Sequence, residues 1–129
     1  MKLHESAENY LETIFMLEQE SDHVRAIDIA TALGFSKPSV SRAMKLLREN
    51  GYITIYENSH IALSPSGRAI AEEMYKRHTA LSHFLIRLGV SESTAKEDAC
   101  RMEHAMSQET FDKLFEFLAR EYGTPHTSE

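Results

Sequence analysis

The spacing of apolar residues changes from helical to alternating within residues 26–63, and this change restricts the fold of the chain more than any other feature. Two short stretches of helical spacing meet at Gly34, a residue type that commonly ends helices. Ser36, which follows, is typical of a helix N-cap. Residues 52–56 and 60–63 then alternate between apolar and polar, which predicts a short β-hairpin.

Two helices joined by a tight turn and followed by a hairpin are typical of a winged helix-turn-helix, whose second helix enters the major groove of DNA. Residues 36–50, which contain this second helix, carry four basic residues against one acidic residue, although the formal net charge of the chain is −6. A basic helix in an acidic chain predicts an anionic partner at that face. The residues expected to line its start and its outer face are Ser36, Lys37, Pro38, Ser39, Ser41, Arg42 and Lys45.

The other segments predict helices. An amphipathic helix over residues 5–20 precedes the helix-turn-helix. Three helices follow the hairpin, over residues 64–89, 91–105 and 108–121. We therefore expect a mostly α-helical protein with a small β-hairpin: an N-terminal winged helix-turn-helix over residues 1–72 and a C-terminal helical dimerisation lobe over residues 73–129. The later helices carry more apolar surface than three helices can bury alone, which favours a homodimer.

The single cysteine of the chain, Cys100, lies three residues before the pair Glu103-His104. Positions i, i+3 and i+4 share one face of a helix, so a thiol, a carboxylate and an imidazole can converge on one divalent metal ion. The alternative is a buried cysteine beside a solvated Glu-His pair. A single cysteine excludes an intramolecular disulfide, and the sequence contains neither a long apolar run nor a secretory leader, which predicts a cytoplasmic protein without membrane association.

Four motifs, in this order, resemble the diphtheria-toxin-repressor family, which includes the manganese-transport regulators. They are residues 8–17, residues 36–41, the pair Arg77-His78, and the stretch Ala-Cys-Arg-x-Glu-His-x-x-Ser at residues 99–107. The resemblance covers nearly the whole chain and is to a short form without the SH3-like domain of the longer members. It implies a homodimeric, metal-activated transcriptional repressor that binds palindromic operator DNA when Fe²⁺ or Mn²⁺ is plentiful and represses metal-uptake genes.

The resemblance also implies a set of metal ligands, namely Asn9, Glu12, His78, Cys100, Glu103 and His104. This set is a hybrid of two branches of the family. The iron-type branch has Met at the position of Asn9 and the same Cys as Cys100, whereas the manganese-type branch has Asp and Glu there. A soft thiolate at Cys100 favours Fe²⁺, with Co²⁺, Ni²⁺ and Zn²⁺ as substitutes in vitro, while Glu12 and Glu103 suit Mn²⁺. We expect iron to be preferred over manganese.

The remaining histidines are weaker candidates for metal ligands. His83 lies near His78 and is left open as a further ligand, whereas four others are expected to be bystanders: His4, His23, His60 and His126. Arg42 matches the position of a base-reading glutamine in the iron-type branch, and an arginine there prefers the edge of guanine. For Lys45 we expect a phosphate contact.

Two other functions remain open at this point. One is a winged-helix regulator that senses an organic ligand or a thiol oxidant through Cys100. The other is a helical-bundle metalloenzyme, whose signature would be paired Glu-x-x-His motifs on two helices. A single stretch here resembles that motif, so the chain is predicted not to be an enzyme.

Overall fold

A computed structural model describes residues 5–123 of the chain. Its elements are α1 (Glu5–Glu18), α2 (Ala26–Leu33), α3 (Lys37–Glu49), β1 (Ile53–Ile55), β2 (Ile61–Leu63), α4 (Pro65–Leu88), α5 (Glu92–Ala105) and α6 (Gln108–Tyr122). The mostly helical fold with a small hairpin is therefore confirmed. Two of the expected bystanders, His4 and His126, lie outside the described residues.

The chain divides into two compact units, unit 1 (Met1–Glu72) and unit 2 (Glu73–Glu129), and the division falls within α4. Unit 1 buries the apolar faces of its helices and of the hairpin in one core. Leu11 of α1, Val40 of α3 and Ile61 of β2 are almost completely buried there. Because each such side chain contributes about 1.5–3 kcal/mol when buried, this core holds the helix-turn-helix in place.

The turn between α2 and α3 depends on two residues. Gly34 adopts φ 70°, a left-handed conformation that side chains disfavour, and its N–H donates to the carbonyl of Ala30 at 2.8 Å. Ser36 then caps α3, because its Oγ accepts from the backbone N–H of Ser39 at 3.3 Å. These two conformations fix where α3 starts and which of its residues face solvent.

The hairpin is antiparallel, with Ile53 opposite Leu63 and Ile55 opposite Ile61. The N–H of Ile61 donates to the carbonyl of Val24 at 2.7 Å, which attaches the hairpin to the segment before α2. The first turn of α4 also lies close to the hairpin, because a Cβ at Gly67 would collide with the backbone oxygen of Tyr52.

Unit 2 consists of the rest of α4 with α5 and α6. Phe111 and Leu118 of α6 and Ala80 of α4 form its buried apolar cluster. The side chain of Ser107 caps α6 by accepting from the N–H of Thr110 at 3.1 Å. Large apolar side chains remain exposed near the ends of α4 and α6, namely Ile86, Leu88, Phe117 and Tyr122. No helix within residues 5–123 is long and apolar enough to cross a membrane.

Candidate metal centre and nucleic-acid interface

Three of the predicted ligands lie together in unit 2. Nδ1 of His78 on α4 is 2.8 Å from Oε1 of Glu103 on α5, and Nε2 of His104 is 3.5 Å from Oε2 of the same carboxylate. The carboxylate therefore lies beside two imidazole rings that come from different helices. The side chains of Glu103 and His104 are 0% and 1% exposed, so the alternative of a solvated Glu-His pair is wrong.

The contact between His78 and Glu103 also orients the histidine ring. An ionised Glu103 carboxylate only accepts hydrogen bonds, and Nδ1 of His78 is the donor to it in that state. In this tautomer the ring carries its lone pair on Nε2, a nitrogen that can coordinate a metal cation. A carboxylate that fixes the tautomer of a neighbouring histidine in this way is common at metal sites.

Arg77, next to His78 in the chain, holds the end of α5. Its guanidinium is buried and donates to the carbonyls of Glu103 at 2.9 Å and Met106 at 2.8 Å. These carbonyls belong to the last turn and the C-cap of α5, where helices lack internal partners. The guanidinium also lies over the ring of Phe111, with its Cζ 5.2 Å from the centroid. Arg77 therefore fixes the main chain of Glu103 while His78 contacts its side chain.

The sequence gives no role to Arg77 beyond its place in the resemblance. Its position in the sequence nevertheless indicates a buried role, because Arg77 falls between Met74 and Leu81 on the apolar face of α4. A charged residue at a core-facing helical position has to find buried hydrogen-bond partners. Arginine, with five donors, suits the carbonyls at a helix C-terminus.

The residues of this cluster fit a divalent transition metal. A carboxylate without access to water has to be neutralised, hydrogen-bonded or bound to a cation. Carboxylate and imidazole together are a common donor set for Mn²⁺, Fe²⁺ and Zn²⁺. Cys100 is a partly exposed cysteine outside any disulfide, one turn before Glu103 on the same face of α5. The cluster can therefore hold a metal through Glu103, His104 and His78, with Cys100 as a further donor.

Two other predicted ligands, Asn9 and Glu12, lie on α1 in unit 1. They are three residues apart and share one face of the helix. Glu12 is buried between the core residues of α1, where glutamates seldom occur. His83 is exposed on α4 and, five residues after His78, lies on a different face of the helix.

The predicted DNA-binding residues lie at the start and on the outer face of α3. Ser39 is partly buried and is hydrogen-bonded by the hydroxyl of Ser36 at 2.8 Å, so its role includes ordering the helix start. The guanidinium of Arg42 is 3.4 Å from the Ser39 hydroxyl, one turn away. The exposed members of the set are Ser36, Lys37, Pro38, Ser41, Arg42 and Lys45. This face presents two lysines, one arginine and two hydroxyl groups to solvent.

Comparison with known proteins gives the class of the molecule. A family model described as the N-terminal DNA binding domain of iron dependent repressors matches residues 2–61. A second model, described as the metal binding and dimerisation domain of the same repressors, matches residues 64–129. The fold and the His-Glu-His cluster thus belong to a transcriptional regulator with a DNA-binding domain and a metal-binding, dimerising domain.

Individual relatives agree with this class. Transcriptional regulator MntR of Salmonella typhimurium is 38% identical over 120 residues, a match that covers 93% of this chain and 76% of that protein. A solved manganese-dependent transcriptional repressor in complex with manganese has a TM-score of 0.79 at 28% identity, over 88% of this chain and 52% of its own. The manganese regulator SloR has a TM-score of 0.78 at 25% identity, over 92% of this chain and 54% of its own.

The chain belongs to the iron-dependent repressor family of transcriptional regulators. The resemblance predicted from the sequence is therefore confirmed. The chain spans about half the length of the two solved structures, which are 52% and 54% covered.

Proposed function

We propose that this protein is a homodimeric, metal-activated repressor that binds palindromic operator DNA and lowers the expression of metal-uptake genes when Fe²⁺ or Mn²⁺ is plentiful. The observation that carries the proposal is the buried Glu103 carboxylate beside His78 and His104, in a chain whose α3 exposes a basic face. We further propose that the protein works in the cytoplasm and catalyses no reaction.

The proposed ligand set is Asn9, Glu12, His78, Cys100, Glu103 and His104. The bound cation supplies the positive charge that a buried carboxylate such as Glu103 requires. His78 contributes Nε2, because its Nδ1 is used by Glu103. Arg77 keeps Glu103 in place through the main chain, so the ligands of unit 2 are ordered before metal binds and lose little conformational freedom on binding.

The choice of ion follows from the softness of the donors. Cys100 offers a thiolate, which favours Fe²⁺ over Mn²⁺, and Asn9 offers a neutral oxygen. Glu12 and Glu103 are hard donors that suit Mn²⁺. We propose a partial preference for iron, so that the concentrations of the two ions in the cell decide which one acts.

The DNA contacts divide into two kinds. Arg42 projects from the outer face of α3 and is proposed to read a guanine, because a guanidinium fits the O6 and N7 acceptors of that base. Lys37 and Lys45 are proposed to contact phosphates, which fixes the position of the helix without reading sequence. The two copies of α3 in a dimer would read the two halves of a palindrome.

The dimer is proposed to form through unit 2. The exposed apolar side chains at the ends of α4 and α6 make a surface that a second copy would cover. Arg87 lies 4.9 Å from the ring of Tyr122 and thus holds the two helix ends together at this surface. A symmetric dimer that uses this patch on both copies closes without leaving an open apolar face.

The test is operator binding with and without metal. DNA duplexes selected from a random library by the metal-loaded protein serve as operators, and fluorescence anisotropy measures affinity in chelator and in Fe²⁺, Mn²⁺, Co²⁺, Ni²⁺ or Zn²⁺. We expect Fe²⁺ and Mn²⁺ to raise the affinity, and Glu103→Gln and His104→Ala to abolish this response while the dimer persists. Glu97→Gln, an exposed glutamate on the same helix, is the matched control and should respond normally.

Two outcomes would contradict the proposal. One is equal operator affinity in chelator and in every metal. The other is operator release by an oxidant, lost in Cys100→Ser, with no metal response; this result would identify a thiol sensor instead.

A further inference from the structure

A second pair of histidines lies in unit 1, at the turn end of the hairpin. His23 belongs to the segment before α2, and His60 immediately precedes β2. The centroids of their rings are 5.3 Å apart, and the ring planes meet at 83°. Both residues are expected from the sequence to be bystanders, and neither belongs to the proposed ligand set. The fold brings these two side chains, which are distant in the sequence, close together.

A backbone hydrogen bond joins the two segments. The N–H of Ile61 donates to the carbonyl of Val24 at 2.7 Å, so the residues that adjoin the two histidines are paired like neighbours in a sheet. On the other side, Ser21 Oγ accepts from the N–H of His23 at 3.2 Å and donates to its carbonyl at 3.0 Å. A preformed arrangement of this kind reduces the entropy that is lost when both side chains bind one ligand.

The ring of His60 has a buried nitrogen that the rest of the structure does not use. Its Nδ1 is shielded from solvent and makes no hydrogen bond within residues 5–123. Tyr56 stacks on the ring, with centroids 5.8 Å apart and planes at 21°, and Asn58 Oδ1 accepts from the backbone N–H of His60 at 3.0 Å. The side chain is thus oriented by its neighbours, while a buried nitrogen without a partner carries a desolvation cost that a bond to a ligand would offset.

We propose that His23 and His60 form a site for a borderline divalent transition metal, of the class of Zn²⁺, Ni²⁺ and Cu²⁺. With metal–nitrogen bonds of about 2.0–2.1 Å and tetrahedral angles, two imidazoles on one ion have centroids about 5 Å apart. The observed 5.3 Å agrees with this geometry.

The charge and the donor type of the site both select its ligand. Glu20 and Asp22 are exposed just before His23, and Glu57 is exposed on the hairpin turn, so acidic side chains predominate in both segments, with Arg25 as the nearest basic residue in the sequence. A negative local potential favours cations. Imidazole donors suit Zn²⁺, Ni²⁺ and Cu²⁺, whereas Mn²⁺ prefers oxygen donors. The site therefore discriminates against Mn²⁺, one of the two proposed effector ions.

Occupancy of this site has a structural consequence. The metal would join the turn end of the hairpin to the segment before α2 by a second link, in addition to the hydrogen bond between Ile61 and Val24. Zn²⁺ would then stabilise the DNA-binding unit directly. It would do so through residues outside the proposed effector centre, which is the metal site that includes Glu103 and His104.

The test uses the full chain carrying Glu103→Ala and His104→Ala, which removes two of the four proposed metal donors of unit 2, with circular dichroism to verify folding. Zn²⁺ is titrated while NMR records the ring nitrogens of the histidines. The rings of His23 and His60 should shift together and saturate at one Zn²⁺ per chain. Substitution of either one by Gln should weaken this binding at least about tenfold, because the second donor acts at a high effective concentration. His83→Gln is the matched control and should leave it unchanged.

A second measurement keeps the native effector centre. Equilibrium dialysis of the unsubstituted chain and of the His23→Gln/His60→Gln variant against Zn²⁺ should show one ion fewer per chain in the variant. Equal stoichiometry in the two proteins would overturn the proposal. So would independent titration of the two rings, or no shift in either.

Discussion

Replacing Arg77 by methionine should lower the free energy of unfolding by about 3 kcal/mol. Methionine fills part of the same space but donates no hydrogen bond, so the carbonyls of Glu103 and Met106 lose this donor. Each such loss costs about 1–3 kcal/mol when the group is buried, and local relaxation recovers part of it. Gln108 and Glu73 each lose a contact of 3.2 Å with the guanidinium, but they keep their mutual hydrogen bond of 3.2 Å. Because the Glu73 side chain is partly exposed, this ion pair adds little to the expected loss.

The assay is urea unfolding followed by far-ultraviolet circular dichroism, in chelator and at one fixed protein concentration, since dimerisation makes stability depend on concentration. Arg68→Met is the matched control. Its guanidinium is 42% exposed and forms a single ion pair with Glu18 at 2.9 Å, which contributes at most about 1 kcal/mol. Arg77→Lys keeps the charge and some of the donors, so its free energy of unfolding should lie between those of wild type and Arg77→Met.

Arg77 should also affect metal binding. Because Arg77 fixes the main chain of Glu103, Arg77→Met should weaken metal binding more than Arg68→Met does. A free energy of unfolding for Arg77→Met within about 1 kcal/mol of the wild-type value would refute this prediction. An equal loss of unfolding free energy in Arg68→Met would refute it as well.

Three further predictions concern metal choice, DNA recognition and packing. Cys100→Glu combined with Asn9→Asp should shift activation toward Mn²⁺ in anaerobic titrations, because both changes introduce hard oxygen donors; an unchanged Fe²⁺/Mn²⁺ ratio would show that these side chains do not set selectivity. Lys45→Ala should weaken binding to all DNA sequences and reduce its salt dependence, whereas Arg42→Ala should relax the preference at one base pair; identical profiles in binding assays on substituted operators would contradict this division. Gly67→Ala should cost about 1–3 kcal/mol in thermal unfolding, because its Cβ meets a backbone oxygen that cannot move independently; a wild-type midpoint would show that the first turn of α4 adjusts freely.

The elements of this fold are largely predictable from the sequence, because their ends are set by local chemistry. Gly34 ends α2 and Ser36 caps α3, as their residue types indicate. Differences are small: α1 ends at Glu18 rather than at residue 20, and β1 and β2 are shorter than the alternating segments. Ser91 occupies the N-cap of α5 as predicted, but its side chain makes no capping hydrogen bond.

Contacts between distant residues are harder to predict, since they depend on how elements pack. His78 and Glu103 are 25 positions apart, and their proximity is a property of α4 against α5. The spacing of Cys100 and Glu103 predicts a shared helix face. His78, their partner on another helix, is predicted by the family resemblance alone. Arg77 interrupts an apolar stripe and thus looks like a defect in a periodic pattern, although it is buried and its guanidinium is hydrogen-bonded.

Under the proposed function, metal binding at the buried Glu103 makes the lifetime of the protein depend on the metal supply. A ligand that binds the folded state alone stabilises it by about 2.7 kcal/mol at a hundredfold excess over its Kd. Proteases in the cell remove chains in proportion to the fraction that is unfolded, and a change of this size alters that fraction by about a hundredfold. A cell depleted of metal would therefore degrade the repressor as well as inactivate it. The number of repressor molecules and their activity would rise and fall together, which sharpens the response beyond what binding to DNA alone can give.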